Sequence, residues 1–162
     1  MKAQMWSLDF IVSMMIFMTV VIALMFFWSY ASLQVGEQIT LDRLQDTAIT
    51  VSDLLVRSPG VPEDWTLSTV TIIGLAREEK VLDPGKVYEF TRIPYSTAQK
   101  LLRVAPHNFY LEILTPNGSV VTVNNTLVTT GSLPASARTV VPISRFVLLD
   151  GEIVRLNLQL WT

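Results

Sequence analysis

The residues of this chain whose types could do chemistry are few: one histidine, two adjacent carboxylate pairs, and a single acid at the mouth of an apolar run. His107 sits between Pro106 and Asn108 with no second histidine and no cysteine anywhere in the chain. That removes thiolate nucleophiles, thiolate metal sites and any disulfide framework. A lone histidine ahead of a strand reads as a surface or capping residue, because histidine catalysis needs a nucleophile or acid held beside it. Glu63-Asp64 and Glu78-Glu79 are sequence neighbours and read as solvated rather than as acid–base dyads. No calcium loop of the D-x-[DN]-x-[DN]-G type is present, nor a G-x-S-x-G elbow, nor a Gly-rich phosphate loop. The expectation is therefore no catalytic residue, no metal, no cofactor and no enzyme. A net charge of -2 gives no basic surface for nucleic acid. Two N-glycosylation sequons occur, at Asn117 and Asn124. For Asn117 the competing reading is a turn residue supplying a left-handed conformation.

Asp9 is the chemically telling residue. Behind it, Phe10 to Trp28 contains no charge, no glycine and no proline. A helix of that length rises by about 28 Å, close to the hydrocarbon thickness of a bilayer. It is apolar all round, so it demands lipid or an equally apolar partner. A carboxylate at the edge of such a helix is costly unless it is solvated at the interface or paired. Ahead of it stands a short basic leader, Met1-Lys2-Ala3.

After Tyr30 the pattern turns amphipathic without a break. Leu41, Leu44, Ala48, Val51 and Leu55 recur at spacings of three and four, one face of a helix. Pro59-Gly60 predicts an end near Arg57. Either one helix runs from about Met5 to Arg57, or two helices meet at a joint, for which Gly36 is the candidate.

The remainder reads as a β-rich head anchored by Trp65. Thr66 to Leu75 is β-branched and predicts a first strand, followed by a charged connection from Ala76 to Val81. Asp83-Pro84 marks the cap and first residue of a short helix, Pro84 to Arg92. Pro94 to Arg103 predicts a second, with Ala98, Leu101 and Leu102 inward. Phe109 to Leu114 is a strand, Pro116-Asn117-Gly118 a hairpin turn, and Ser119 to Asn124 its returning partner. Asn124 to Ser136 predicts a loop or edge hairpin. Arg138 to Leu149 is a long strand whose Pro142 implies an edge or a bulge. Asp150-Gly151 turns it back into Glu152 to Trp161, where Val154, Leu156, Leu158 and Leu160 face the core, with Ile153, Arg155, Asn157 and Gln159 on the wet side. The fold class expected is α+β: a long N-terminal helix, apolar then amphipathic, carrying a small mainly antiparallel sheet with one or two short helices. The divisions are 1–3 as leader, 4–57 as helix (about 6–30 in membrane or filament core) and 58–162 as head.

The leader and helix entrance, MKA-QMWSLDF, resemble the class III (prepilin-type) signal sequences of archaeal type IV pilin-like proteins. The order of SPGVPEDW, VLDPGKV, PYSTAQKLL, NFYLEI and SRFVLLDGEIVRLNLQLW behind it also resembles a recurrent layout of that family. The resemblance implies cleavage between Ala3 and Gln4 by a prepilin-type peptidase and retention of the helix. It also implies an assembly role for Asp9, meeting the new amino terminus of a neighbouring subunit. Asp9 departs from the commonest pattern: counted from Gln4 it is sixth rather than fifth, and Asp rather than Glu. The expected function is a major or minor pilin of a surface filament, stored in the cell membrane, with the head outside and copies of itself or other pilin-like subunits as partners. The alternative is a single-pass anchored extracellular domain that binds a partner without a filament.

Overall fold

The computed structural model describes residues 3–135 and 137–162, with the side chains of 3–7 and 33–40 left out of the description. One helix, α1, covers Ala3–Arg57. The chain divides into two compact units, residues 1–41 and Asp42–Thr162. The boundary falls inside α1, so the amphipathic turns belong with the head. The candidate joint Gly36 lies outside the residues whose surroundings are described.

In the head, Leu44, Ala48, Val51 and Leu55 are buried as their spacing predicts, and Ser52 and Val56 widen the stripe. Leu41 departs from the expectation: it belongs to the first unit and is 39% exposed. The helix stops at Arg57, with Ser58 N–H still donating to the Leu54 carbonyl. Gly60 then takes a φ of +86°, and a Cβ there would meet the Trp65 ring at 2.6 Å. Only glycine satisfies both demands. Trp65 is 2% exposed, and its indole N–H donates to the Pro59 and Gly74 carbonyls at 3.1 and 2.9 Å.

Thr66 to Leu75 is not a strand. Its first half turns on itself, with Thr69 and Val70 N–H donating to the Thr66 carbonyl, and its one sheet-like contact is an isolated bridge between Ile72 and Val61. The reason lies in α1. A helix leaves its last carbonyls without intrahelical donors, and here Leu75 donates to Leu55, Ala76 to Ser58 and Lys80 to Val56. The demand of the helix end overrides β propensity. The supposed charged connection becomes the hairpin instead: β1 (Ala76–Glu78) and β2 (Val81–Leu82), with Lys80 at a φ of 63° between them.

Helix α2 (Pro84–Arg92) forms as expected, the Asp83 carboxylate accepting from Gly85 and Lys86 N–H at 2.8 and 3.2 Å. Helix α3 (Tyr95–Leu101) buries Ala98, and Leu102 caps it from inside, while Leu101 is only partly buried. The Tyr95 ring stacks on Phe109 at 5.3 Å. Strand β3 (Asn108–Leu114) follows, then β4 (Thr122–Val123), β5 (Thr126–Leu127), β6 (Thr129–Gly131), β7 (Val140–Leu149) and β8 (Glu152–Trp161).

The main sheet has the order β1-β2-β7-β8-β3-β6, antiparallel except for β2 beside β7. Ser119 to Asn124 does not return along β3 as a strand. The turn at Gly118 forms, Val120 bridges Leu114 and Val121 N–H donates to the Ile113 carbonyl, but beyond that point Val128 and β6 take this edge of β3 and β8 takes the other. Thr122-Val123 therefore pairs with Thr126-Leu127 around Asn124 and Asn125, at φ of 49° and 62°. The β7–β8 hairpin turns at Asp150-Gly151, and Val154, Leu156, Leu158 and Leu160 are buried.

Pro142 lies on an open edge. Leu148 N–H donates to the Lys80 carbonyl, away from β8. Alternation then turns the backbone groups of Phe146, Ser144, Pro142 and Val140 the same way. Among the described residues β2 pairs only Leu148 and Leu149, leaving the rest of that edge bare. The core between sheet and helix joins Leu44, Leu55, Phe90, Leu111, Ile113 and Leu156.

Leu55 is 0% exposed on α1. Leu55→Ala removes its side chain from a packed site and costs about 2–5 kcal/mol, read as a lower denaturant midpoint at unchanged slope. A loss under ~0.5 kcal/mol would place that helix face outside the cooperative core.

Candidate functional site

Two surfaces stand out from an otherwise well-buried chain. The first is Leu8–Ser32 of α1, 25 residues of mean hydropathy 2.7 and none of them buried. It is long and apolar enough to cross a membrane. Its side chains are open on every side: Leu8 is 65% exposed, Phe17 66% and Trp28 76%. The backbone is satisfied within the helix, which is what a lipid environment requires of it. Thr19, a polar residue inside the segment, turns its hydroxyl back onto the Met15 carbonyl at 2.8 Å. It therefore presents no unpaired donor.

Asp9 is exposed and lies one residue past the start of this segment. Among the described residues no cation pairs with it. Ala3 and Gln4, the expected cleavage pair, lie where side chains are not described, and Met1 and Lys2 lie outside the described residues.

The second surface is the outer face of the sheet. Its inward positions fill the core, so the alternate positions look out. Across β7, β8, β3 and β6 the register aligns Ser144, Asn157, Glu112 and Thr129 in one row, and Pro142, Gln159, Tyr110 and Gly131 in the next. A third row holds Val140, Trp161 and Asn108. The first row is tied together: Ser144 Oγ lies 3.1 Å from Asn157 Oδ1, and Asn157 Nδ2 donates to Glu112 Oε1 at 2.9 Å. The Tyr110 hydroxyl is 3.4 Å from the other Glu112 oxygen. Burial, and then the Glu112 charge and hydrogen bond, push the Tyr110 phenol above its ordinary value of 10.0. At the hairpin end, Phe146 is 71% and Ile153 61% exposed, and Arg155 Nε is buried without a partner among the described residues.

The wet side of β8 was readable from alternation. Its joining to Glu112 and Tyr110 was not, since that follows from a strand register set by residues more than forty positions apart.

The other sequence candidates stay apart. His107 is half-buried in the turn before β3, its carbonyl accepting from Gln99 Nε2 at 2.7 Å. Glu63, Asp64, Glu78 and Glu79 are all exposed, and among the described residues Glu79 reaches only Arg57, at 3.7 Å. Among the described residues no three His, Cys, Asp or Glu side chains group to hold a metal. Both sequon asparagines are exposed. Asn117 does not supply the left-handed conformation of its turn; Gly118 does, at a φ of +84°. A groove of about 410 Å³ runs between α1 and the turn after α3, lined by Asp46, Thr50, Leu54, Ile72, Leu101 and Arg103.

One link fastens helix to sheet. Arg145 on β7 pairs with Asp53 at 2.9 Å and donates from Nε to Ser52 Oγ at 3.2 Å. Both charged side chains remain a third or more exposed, so the pair orients more than it stabilises.

The chain matches no known family model, no curated protein and no solved structure.

Two measurements follow. Val20 lies at the centre of the apolar segment, and Val20→Arg there costs about 2.5–3.5 kcal/mol on insertion. The carbonate-resistant share of the protein in a membrane pellet should fall sharply, while Val20→Leu leaves it unchanged. An unaltered share for both would remove the segment as a membrane span. Tyr110 in turn should deprotonate above the ordinary tyrosine range, seen as the difference between the alkaline titrations of wild type and Tyr110→Phe. Its folded value is raised, so its contribution to stability is complete below pH ~10 and is lost as pH rises through the window above it. Glu112→Gln should lower the value only partway, since burial persists.

Proposed function

We propose that this chain is a structural subunit, major or minor, of an archaeal type IV pilus-like surface filament that assembles through α1. The observation that carries the reading is a 25-residue apolar segment with no buried surface, in the same helix whose later turns are built into the head. A plain anchor needs the first feature and not the second. While the subunit is stored, lipid solvates Leu8–Ser32. On assembly the same segments of many copies pack together and exchange lipid for protein, with the heads outside. The resemblance of MKA-QMWSLDF to prepilin leaders supports cleavage between Ala3 and Gln4 by a prepilin-type peptidase.

Asp9 then has a physical part to play. Buried among apolar helices its carboxylate is costly alone and tolerable beside an opposite charge. The amino terminus freed at Gln4 of a neighbouring copy is such a charge. The one-residue offset from the commonest spacing turns Asp9 by about 100° around the helix. The pairing would therefore draw on a different neighbour or a different helix rotation.

The test is the mass of the chain recovered from native membranes and from sheared surface filaments. A mature chain beginning at Gln4 in both fractions is expected. An intact Met1, or a start near Ala31, overturns the filament reading in favour of an anchored or secreted head that binds a partner. Asp9→Ala should leave the membrane pool intact and lower filament yield several-fold; equal yield removes Asp9 from assembly.

A further inference from the structure

The outer face of the sheet is a preorganised strip of neutral hydrogen-bonding groups, and we infer that it binds a neutral polysaccharide. The strip lies wholly in the head, so the inference stands whether or not the chain forms filaments.

Its chemistry is set by what the side chains have already spent on one another. Glu112 is the one formal charge in the three rows from Ser144 to Trp161, and both its oxygens are engaged, by Asn157 Nδ2 and the Tyr110 hydroxyl. Asn157 is held from both sides, its Oδ1 by Ser144 and its Nδ2 by Glu112. The amide is thus fixed in one orientation before any ligand arrives, which lowers the entropy lost on binding. Gln159 is different. It sits between Pro142 and Tyr110 in the register, half-buried, and its side chain makes no hydrogen bond among the described residues. It offers a free donor pair and a free acceptor at the centre of the strip. Two aromatic rings flank it: Tyr110 directly across, and Trp161 two residues on along the same face, its indole N–H donating to the Ser132 carbonyl at 3.2 Å. Gly131, beside Tyr110 on β6, brings no side chain to cover that ring.

This composition selects among ligands. The three rows hold no cation, so within the strip phosphate, nucleic acid and anionic headgroups meet no charge partner; Arg155, in the adjacent row, has its Nε buried. An apolar helix or acyl chain laid on them would strip water from amides and hydroxyls without replacing it. A surface of neutral donors and acceptors between two rings complements a ligand with hydroxyls and C–H faces in alternation, which is a chain of pyranose rings. The strip is open rather than enclosed, and spans about 14 Å across four strands and about 13 Å along them. That shape suits a polymer lying across it better than a small molecule, which favours a concave pocket. Arg155 begins the next row, beyond the strip, opposite Phe146 and Leu114.

The test uses the full chain in detergent micelles, applied to an array of neutral hexose oligosaccharides and uronic-acid oligosaccharides. Binding to at least one neutral hexose series is expected, insensitive to salt. Gln159→Ala and Trp161→Ala should each weaken it about tenfold or more, with thermal unfolding unchanged for Gln159→Ala. Ile153→Ser, on the same face but outside the strip, should leave binding intact. If Trp161→Ala unfolds, Gln159→Ala and Tyr110→Ala decide. No neutral ligand on the array, affinity untouched by Gln159→Ala, or binding confined to uronic acids and lost in salt would each overturn the assignment.

Discussion

The last four turns of α1 hold the head together. Their stripe from Leu44 to Leu55 is the apolar floor on which the sheet rests, and their terminal carbonyls recruit the chain that follows. Leu75, Ala76 and Lys80 donate to Leu55, Ser58 and Val56, so the path out of the helix is dictated by hydrogen bonds the helix cannot make for itself. Trp65 closes that corner by bonding carbonyls on either side of it. Arg145 reaches from β7 to the same helix through Asp53 and Ser52. The Leu75, Lys80 and Arg145 contacts address α1 itself, while Ala76 and Trp65 fasten the turn that leaves it.

The same helix therefore answers to two solvents. Its later turns bury an amphipathic stripe, as a helix in a water-soluble domain does. Its earlier turns bury nothing and are apolar all round. The first half is suited to an apolar phase and the second to a water-soluble domain. Thr19 shows how finely the first half meets that demand, because its hydroxyl is absorbed by the helix itself.

What could be read from residues alone was whatever depends on near neighbours. The apolar span, the end of α1 at Arg57, the Asp83 cap, the Asp150-Gly151 turn and the alternation of β8 all rest on contacts within a few residues. Thr66 to Leu75 misled because its β-branched composition reports local preference, and the helix end outbid that preference. Ser119 to Asn124 departs from its expectation after Val121, because the hairpin begun at Gly118 meets an edge of β3 that Val128 and β6 already occupy. Asp9 was legible as an exposed acid at the front of the span. The row joining Ser144, Asn157 and Glu112 was not, since it exists only once three strands have chosen their register.

Pro142 acquires a meaning from crowding. A bare strand edge is a template for another strand wherever copies of a chain meet. Along the exposed side of β7 a second copy would find the Phe146 and Ser144 amides and then, at Pro142, a ring where the next N–H should be. A growing ladder would lose its bond at that rung. The residue that looks like a flaw in the longest hairpin thus limits how two heads can join. Any edge-to-edge ladder along β7 is interrupted at that position.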